Sequence, residues 1–154
     1  MTPQTSPSML DAVRDSFARQ GLMATLGACL VSVEPGQVRI ELPFSPAVTQ
    51  QHGYFHAAAT TAIADTAGGY AALTLMRPGE EVLAVEFKLN LLRPAVGERL
   101  VATAQVLKPG RTLTVSRIDV HAHRGGQAVL VATMTQTNFR VAPPAAPGDP
   151  SPPS

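Results

Sequence analysis

The chain of 154 residues has no tryptophan, one cysteine, two tyrosines and five phenylalanines, and only 15% of its residues are charged. Twelve basic residues stand against eleven acidic ones, with no basic block anywhere. A protein that leans on phosphate contacts to nucleic acid shows a clustered excess of Lys and Arg, so nucleic acid is not an expected partner. The single cysteine, Cys29, excludes an internal disulfide and a multi-thiolate zinc site. Its place in the apolar run from Leu26 to Val33 predicts a buried, inert thiol. Disorder is excluded for the bulk of the chain, because 45% apolar residues can offset the ordering entropy.

Long hydrophobic runs are also missing. The best membrane-span candidate, Ala57 to Met76, carries Asp65, four threonines and two glycines, too polar for lipid. Met1 to Ser8 lacks the basic-then-apolar pattern of a signal peptide. The expectation is a cytoplasmic protein with no membrane contact. Six of the fourteen prolines fall within Val141 to Ser154. The expected organisation is a flexible start over 1–7, one domain over 8–140 and a disordered Pro-rich tail over 141–154.

Ser8 to Gln20 predicts an amphipathic helix, with Leu10, Val13, Phe17 and Leu22 near one face, Ser8 as cap and Gly21 as stop. Cys29 to Val33 and Gln37 to Leu42 read as strands joined by Glu34-Pro35-Gly36, a sequence suited to a type II turn. Val85, Phe87, Leu89 and Leu91 alternate with Glu86, Lys88 and Asn90, and β-runs follow over Leu100 to Leu107, Thr112 to Ala122 and Ala128 to Phe139. Within the third, apolar parity changes between Val115 and Ile118, which points to a bulge or a two-sided environment. Arg124-Gly125-Gly126-Gln127 predicts a hairpin turn. With a long helix over Ala57 to Met76, the order is helix, two strands, helix, four strands. This is an α+β domain with an antiparallel sheet.

The long helix carries the chemistry. Asp65 is its only charged side chain, and on a helical projection it is flanked by Ala58, Thr61, Ala62, Gly68, Gly69 and Ala72. Two interior glycines cost roughly 1 kcal/mol each against alanine, so the stripe beside Asp65 is expected to need space. The preceding segment, Gln50-Gln51-His52-Gly53-Tyr54-Phe55-His56, is rich in polar donors, and Gly53 permits an unusual turn. Amides near Ala57 and Ala58 have no intrahelical acceptor and suit a developing oxyanion, or else ordinary capping. Eight residues separate Ala57 from Asp65, roughly 12 Å along a helix. One substrate atom can meet both only if two copies of the helix supply them, so an obligate dimer with interfacial sites is expected.

These elements, through the VEPGQVRIELPF hairpin, QQHGYFHAAATTAIADTAGGYAA, VEFKLNLLRPAVGERL and VLKPGRTLTV, resemble the hotdog-fold acyl-CoA thioesterases of the phenylacetate-pathway (PaaI-like) branch. The resemblance implies a long central helix wrapped by a curved antiparallel sheet, with a short helix before it. His56 and Asp65 match the family spacing of a His and an acid nine residues later, and Gln50 takes the place of an amide residue, usually Asn. The sequence has His56-Ala57-Ala58 where the family has His-Gly-Gly, and Ala84 where some members carry a water-positioning Ser or Thr.

The resemblance implies Asp65 as general base or nucleophile on a thioester, the Ala57 amide with His56 polarising its carbonyl, and Gln50 of the other subunit orienting water or the attacking group. Gly53, Ala58, Arg93, Lys108 and Arg111 are candidates for substrate binding, the three cations toward the phosphates of coenzyme A. No metal and no cofactor beyond the coenzyme A of the substrate is implied; His121 and His123, two apart on one strand, lack further ligands nearby in sequence. The assembly implied is a homodimer or a dimer of dimers. Two alternatives stand beside hydrolysis: a hotdog enoyl- or hydroxyacyl-CoA hydratase-dehydratase, and a non-catalytic acyl-CoA-binding module.

Overall fold

The structure, a computed structural model, describes residues 7–143. The expected flexible start, apart from Pro7, and the Pro-rich tail from residue 144 onward lie outside the described residues.

Helix α1 spans Pro7–Ala18, one residue earlier than the Ser8 cap suggested. Gly21 does not end a helix but begins a second one, α2 (Gly21–Leu26), which stops at Gly27 in the left-handed conformation (φ +76°). Strands β1 (Cys29–Glu34) and β2 (Gln37–Pro43) form a hairpin through Gly36, whose φ of +73° fits the second central position of a type II turn. A single 3₁₀ turn, Pro46–Val48, leads to the long helix α3 (Ala57–Leu73). That helix ends three residues before Met76, with Thr74 as its C-cap and Pro78 just beyond. Strands β3 (Glu81–Leu91), β4 (Arg99–Pro109), β5 (Leu113–Arg124) and β6 (Gln127–Val141) complete the fold. Gly125 and Gly126 both have positive φ, as a tight I′ hairpin turn between β5 and β6 requires.

The six strands pair antiparallel in the order β1-β2-β4-β5-β6-β3 and carry α3 on one face. This is the expected α+β hotdog architecture. The core lies between helix and sheet, where Ile63, Ala64 and Ala67 meet Ile40, Ala102 and Val120, all fully buried. None of the described helices is long and apolar enough to cross a membrane.

One local expectation needs correction, and the expected irregularity near Val115 in β5 is present as a shift of register against β4. Cys29 is exposed, because β1 is an edge strand whose outward positions meet no layer. The parity change in β5 is not a break in that strand: Thr114, Ser116, Ile118, Val120 and Ala122 all face inward, and Leu113 and Val115 face out. The register shift falls on β4, between Val106 and Lys108. So the inner face of β5 turns polar toward one end, and β6 does the same with Gln136 and Asn138. Ser116 lies opposite Gln136 and Thr114 opposite Asn138.

The small-residue stripe of α3 is likewise divided. Gly68 and Ala72 are buried against the chain's own sheet, whereas Ala58, Thr61, Ala62, Asp65 and Gly69 remain at least partly exposed. A Cβ at Gly68 would collide with Gln136 Oε1 and lie 2.9 Å from Ile118 Cδ1; at Gly69 the nearest atoms are 4.0 Å away. Gly68 therefore makes room for Gln136, not for substrate. Overpacking a core costs about 1–3 kcal/mol, more than the roughly 1 kcal/mol that alanine gains over glycine in a helix. Urea unfolding should thus find Gly68→Ala less stable than wild type by about 1 kcal/mol or more, and Gly69→Ala more stable by up to about 1 kcal/mol. The reverse order would sink this packing account.

Candidate active site

The segment before α3 is built as a closed loop. Gln50 N–H donates to Tyr54 O (2.9 Å) and Gly53 N–H to Gln50 O (3.0 Å), a reversal that Gly53 makes at φ +81°. The Gln50 side-chain oxygen accepts from the amides of His52 and Tyr54. Its Nε2 donor has no acceptor among the described residues. Phe55 N–H donates to Ala95 O and His56 N–H to Val48 O, and buried Phe55 packs edge-on against Phe44 at 5.4 Å. The start of α3 is thus anchored on both sides.

His56 is the N-cap: its Nδ1 accepts from the Ala58 amide at 2.9 Å. A neutral imidazole that accepts at Nδ1 carries its proton on Nε2. The Ala59 and Thr60 amides both bond to His56 O. Of the four amides that open the helix, the Ala57 amide alone has no acceptor among the described residues. Ala58, expected to contact substrate, has its amide committed to capping instead. No described non-glycine residue has positive φ, so the alanines replace the family's two glycines without strain. Gln50, Ala57 and Arg93 line one cleft of about 430 Å³, walled by Tyr54, Leu91 and Pro94.

Asp65 lies elsewhere, on the partly exposed face of α3, in a second cleft of about 230 Å³ lined also by Gln20, Thr66, Gly69, Val82, Ala84 and Asn138. It is the only carboxylate there. Its Oδ1 accepts from Gln136 Nε2, which also donates to the Asp65 carbonyl at 3.2 Å. Gln136 Oε1 accepts in turn from Asn138 Nδ2 at 3.0 Å. Burial pushes the Asp65 carboxyl above its ordinary range, and the Gln136 hydrogen bond opposes that rise.

Gln136 and Asn138 were not singled out from the sequence, and both are fully buried. A signal for them exists: Thr114, Ser116, Gln136 and Asn138 interrupt apolar inward positions at the same level of two paired strands, opposite the only glycine pair in a helix. The cations do not converge in one chain. Arg93 N–H bonds Val131 O at one end of β6, while Lys108 and Arg111 flank the turn beside Arg140 at the other. Nine residues of strand make that roughly 30 Å. Arg93 also donates to Leu130 O (2.9 Å). His121 and His123 stand apart from both clefts, and no group of three potential metal-ligating side chains occurs among the described residues.

An antiparallel sheet wrapped on a long helix, with a lone carboxylate midway along that helix and an open amide at its start, defines a class. The chain belongs to the thioesterase superfamily, whose family model matches residues 52–129. It is a thioester hydrolase with PaaI-like hotdog architecture. A solved thioesterase family protein from Silicibacter pomeroyi is 48% identical, superposes with a TM-score of 0.85 and covers 87% of this chain and 98% of its own. Acyl-coenzyme A thioesterase 13 of Homo sapiens is 32% identical over 131 residues, 84% of this chain and 92% of that protein. PaaI of E. coli, from the phenylacetic acid degradation operon, shares the fold at a TM-score of 0.81 and 22% identity, over 91% of this chain and 98% of its own.

The raised carboxyl has a consequence for stability. A group that binds its proton more tightly when folded opposes folding once ionised. That penalty is complete above the folded pKa and absent below the unfolded one. Asp65→Asn keeps an acceptor for Gln136 and removes the charge. Its melting temperature should exceed that of wild type at pH 7, with the gap closing as pH falls through the carboxylate range; a gap that widens on acidification would contradict the assignment.

Proposed function

We propose that the chain hydrolyses acyl-CoA thioesters to a free acid and coenzyme A, with no cofactor beyond the coenzyme A of the substrate, in the cytoplasm. The observation that carries this reading is Asp65, a single part-buried carboxylate in an otherwise uncharged cleft, on the same helix whose first amide is unpartnered. The relation to human acyl-coenzyme A thioesterase 13 supports the acyl-CoA substrate.

Asp65 serves as general base or nucleophile. The Ala57 amide, with the His56 Nε2–H beside it, receives the developing oxyanion. Gln50 Nε2, freed by the commitment of its oxygen to the loop, orients the attacking group or the substrate carbonyl. Because Ala57 and Asp65 open into different clefts roughly 12 Å apart along the axis, each site takes Asp65 from one copy and Gln50, His56 and Ala57 from the other. The exposed apolar side chains of edge strand β3, Leu83, Val85, Phe87 and Leu91, support a homodimer, and the same chemistry allows a dimer of dimers. A shared site also lets Arg93 of one copy and Lys108 and Arg111 of another meet the coenzyme A phosphates, which one chain alone cannot arrange.

Thiol release from short, medium, long and aryl acyl-CoAs tests the reading. Asp65→Ala should lose about 10²–10⁴-fold in rate, and wild-type activity should fall on acidification with a midpoint above the ordinary carboxylate range. Ala57→Pro is a clean test of the oxyanion donor. Proline fits the first position of a helix, and His56 at φ −65°, ψ 138° already has the backbone that precedes proline. It deletes the N–H alone and should cost about 10²–10³-fold. Co-refolding the Asp65→Ala and Ala57→Pro chains should restore activity, since each mixed dimer then holds one intact site. No recovery on mixing would reject the shared site, and enoyl-CoA hydration without thiol release would favour the hydratase.

A further inference from the structure

The polar chain behind Asp65 has a direction, and that direction specifies what sits at its end. An ionised carboxylate only accepts hydrogen bonds. Gln136 must therefore present its NH₂ to Asp65, as it does, which turns its Oε1 toward Asn138. Asn138 must then give its own NH₂ to Gln136, and its carbonyl oxygen is left over. That oxygen, Oδ1, is buried and has no partner among the described residues, on a side chain that is itself fully buried. Asn138 and Asp65 line the same cleft, and the second carboxylate oxygen of Asp65 has no donor among the described residues either.

Of the other side chains lining the cleft, the Thr66 hydroxyl is a donor near these two acceptors, and the Tyr70 hydroxyl donates to Ser16 Oγ at 3.0 Å. Val82 and Ala84 offer only carbon, and Gln20 Nε2 is engaged with the Tyr70 hydroxyl at 2.9 Å. Gly69, one turn beyond Asp65, supplies no side chain; even a Cβ there would stop 4.0 Å from Asn138 Oδ1. Two acceptors on one small cleft match a molecule with two hydrogens to donate. A water that gives one hydrogen to Asp65 Oδ2 and the other to Asn138 Oδ1 keeps its lone pairs free to face an electrophile.

We propose that Asp65 and Asn138 jointly hold the hydrolytic water, with Gln136 as the positioning residue that fixes the orientation of both. The inference rests on the thioesterase reading and narrows it, making Asp65 a general base. Asp65 takes one proton from the water as the water oxygen bonds to the thioester carbonyl carbon. Collapse of the tetrahedral adduct breaks the C–S bond, and the departing thiolate takes the proton from Asp65. One thioester and one water give one acid and one thiol. Asn138 thus does from β6 what the Ala84 position cannot.

Two variants and one isotope experiment decide it. Asn138→Leu removes the acceptor at similar volume, and Asn138→Ser retains a shorter one; melting temperatures establish that each is folded. The proposal requires kcat of Asn138→Leu to fall about 10²-fold with KM within about threefold, the cost of a misplaced reactant, and Asn138→Ser to lie between it and wild type. A single turnover of excess wild-type enzyme in ¹⁸O water should put the label in the released acid and none in the Asp65 peptide. Label in that peptide, or kcat of folded Asn138→Leu within threefold of wild type, overturns the water site while leaving hydrolysis intact. Absence of thiol release by wild type on every acyl-CoA overturns both together.

Discussion

A carboxylate can be kept half out of water and still ionise only where something donates to it, and here the donor is Gln136. Much of the local design follows from that one hydrogen bond. Gln136 reaches Asp65 from the sheet because Gly68 leaves no Cβ in its path. Asn138 takes up the other end of the Gln136 amide, and Ser116 and Thr114 continue the polar wall on the neighbouring strand. A helix that is otherwise Ala, Thr, Gly, Ile, Tyr and Leu contributes no competing charge. The hydrogen bond pulls the Asp65 pKa down while burial pushes it up, and burial prevails. The residue is left more basic than a solvated carboxylate, which suits a proton acceptor at a carbonyl.

The elements were legible where one side of them is solvated or where a turn demands glycine. The alternation of β2, the Pro35-Gly36 and Gly125-Gly126 turns and the start of α3 all follow from local rules. Asp65 stood out for the same kind of reason, as the only charge in an apolar helix. What local rules could not supply was which layer each face meets. The inert, buried Cys29 was expected from an apolar run, but β1 is an edge strand and the run is partly exposed. Gly68 and Gly69 look identical in sequence, yet one lies under Gln136 and the other borders the Asp65 cleft. The parity change in β5 was visible, but that its irregularity is taken up by β4, between Val106 and Lys108, was not.

The same distinction applies to the start of α3. Sequence alone left open whether the early amides are capped or free, and the geometry divides them: Ala58 is capped by His56 and Ala57 is not. Capping costs one candidate donor and improves another. By accepting at Nδ1, His56 is held with its Nε2–H directed away from the helix it caps. The family's glycines at these two positions are therefore not needed for backbone conformation, because negative φ suits alanine equally well.

The arrangement of the two clefts constrains the assembly more strongly than composition does. An amide at the first turn of a helix and a carboxylate two turns later face different directions and different neighbours, and no side-chain movement closes roughly 12 Å. A monomer would hold two half-sites, each chemically incomplete. An edge strand with exposed Val85 and Phe87 would remain in water as a pairing liability. Joining copies along that edge covers the apolar strand and, if the two-fold axis runs beside α3, brings unlike half-sites together. In the proposed dimer the exposed strand and the split site are one feature: covering β3 would be what holds Asp65 of one chain against the Ala57 amide of the other.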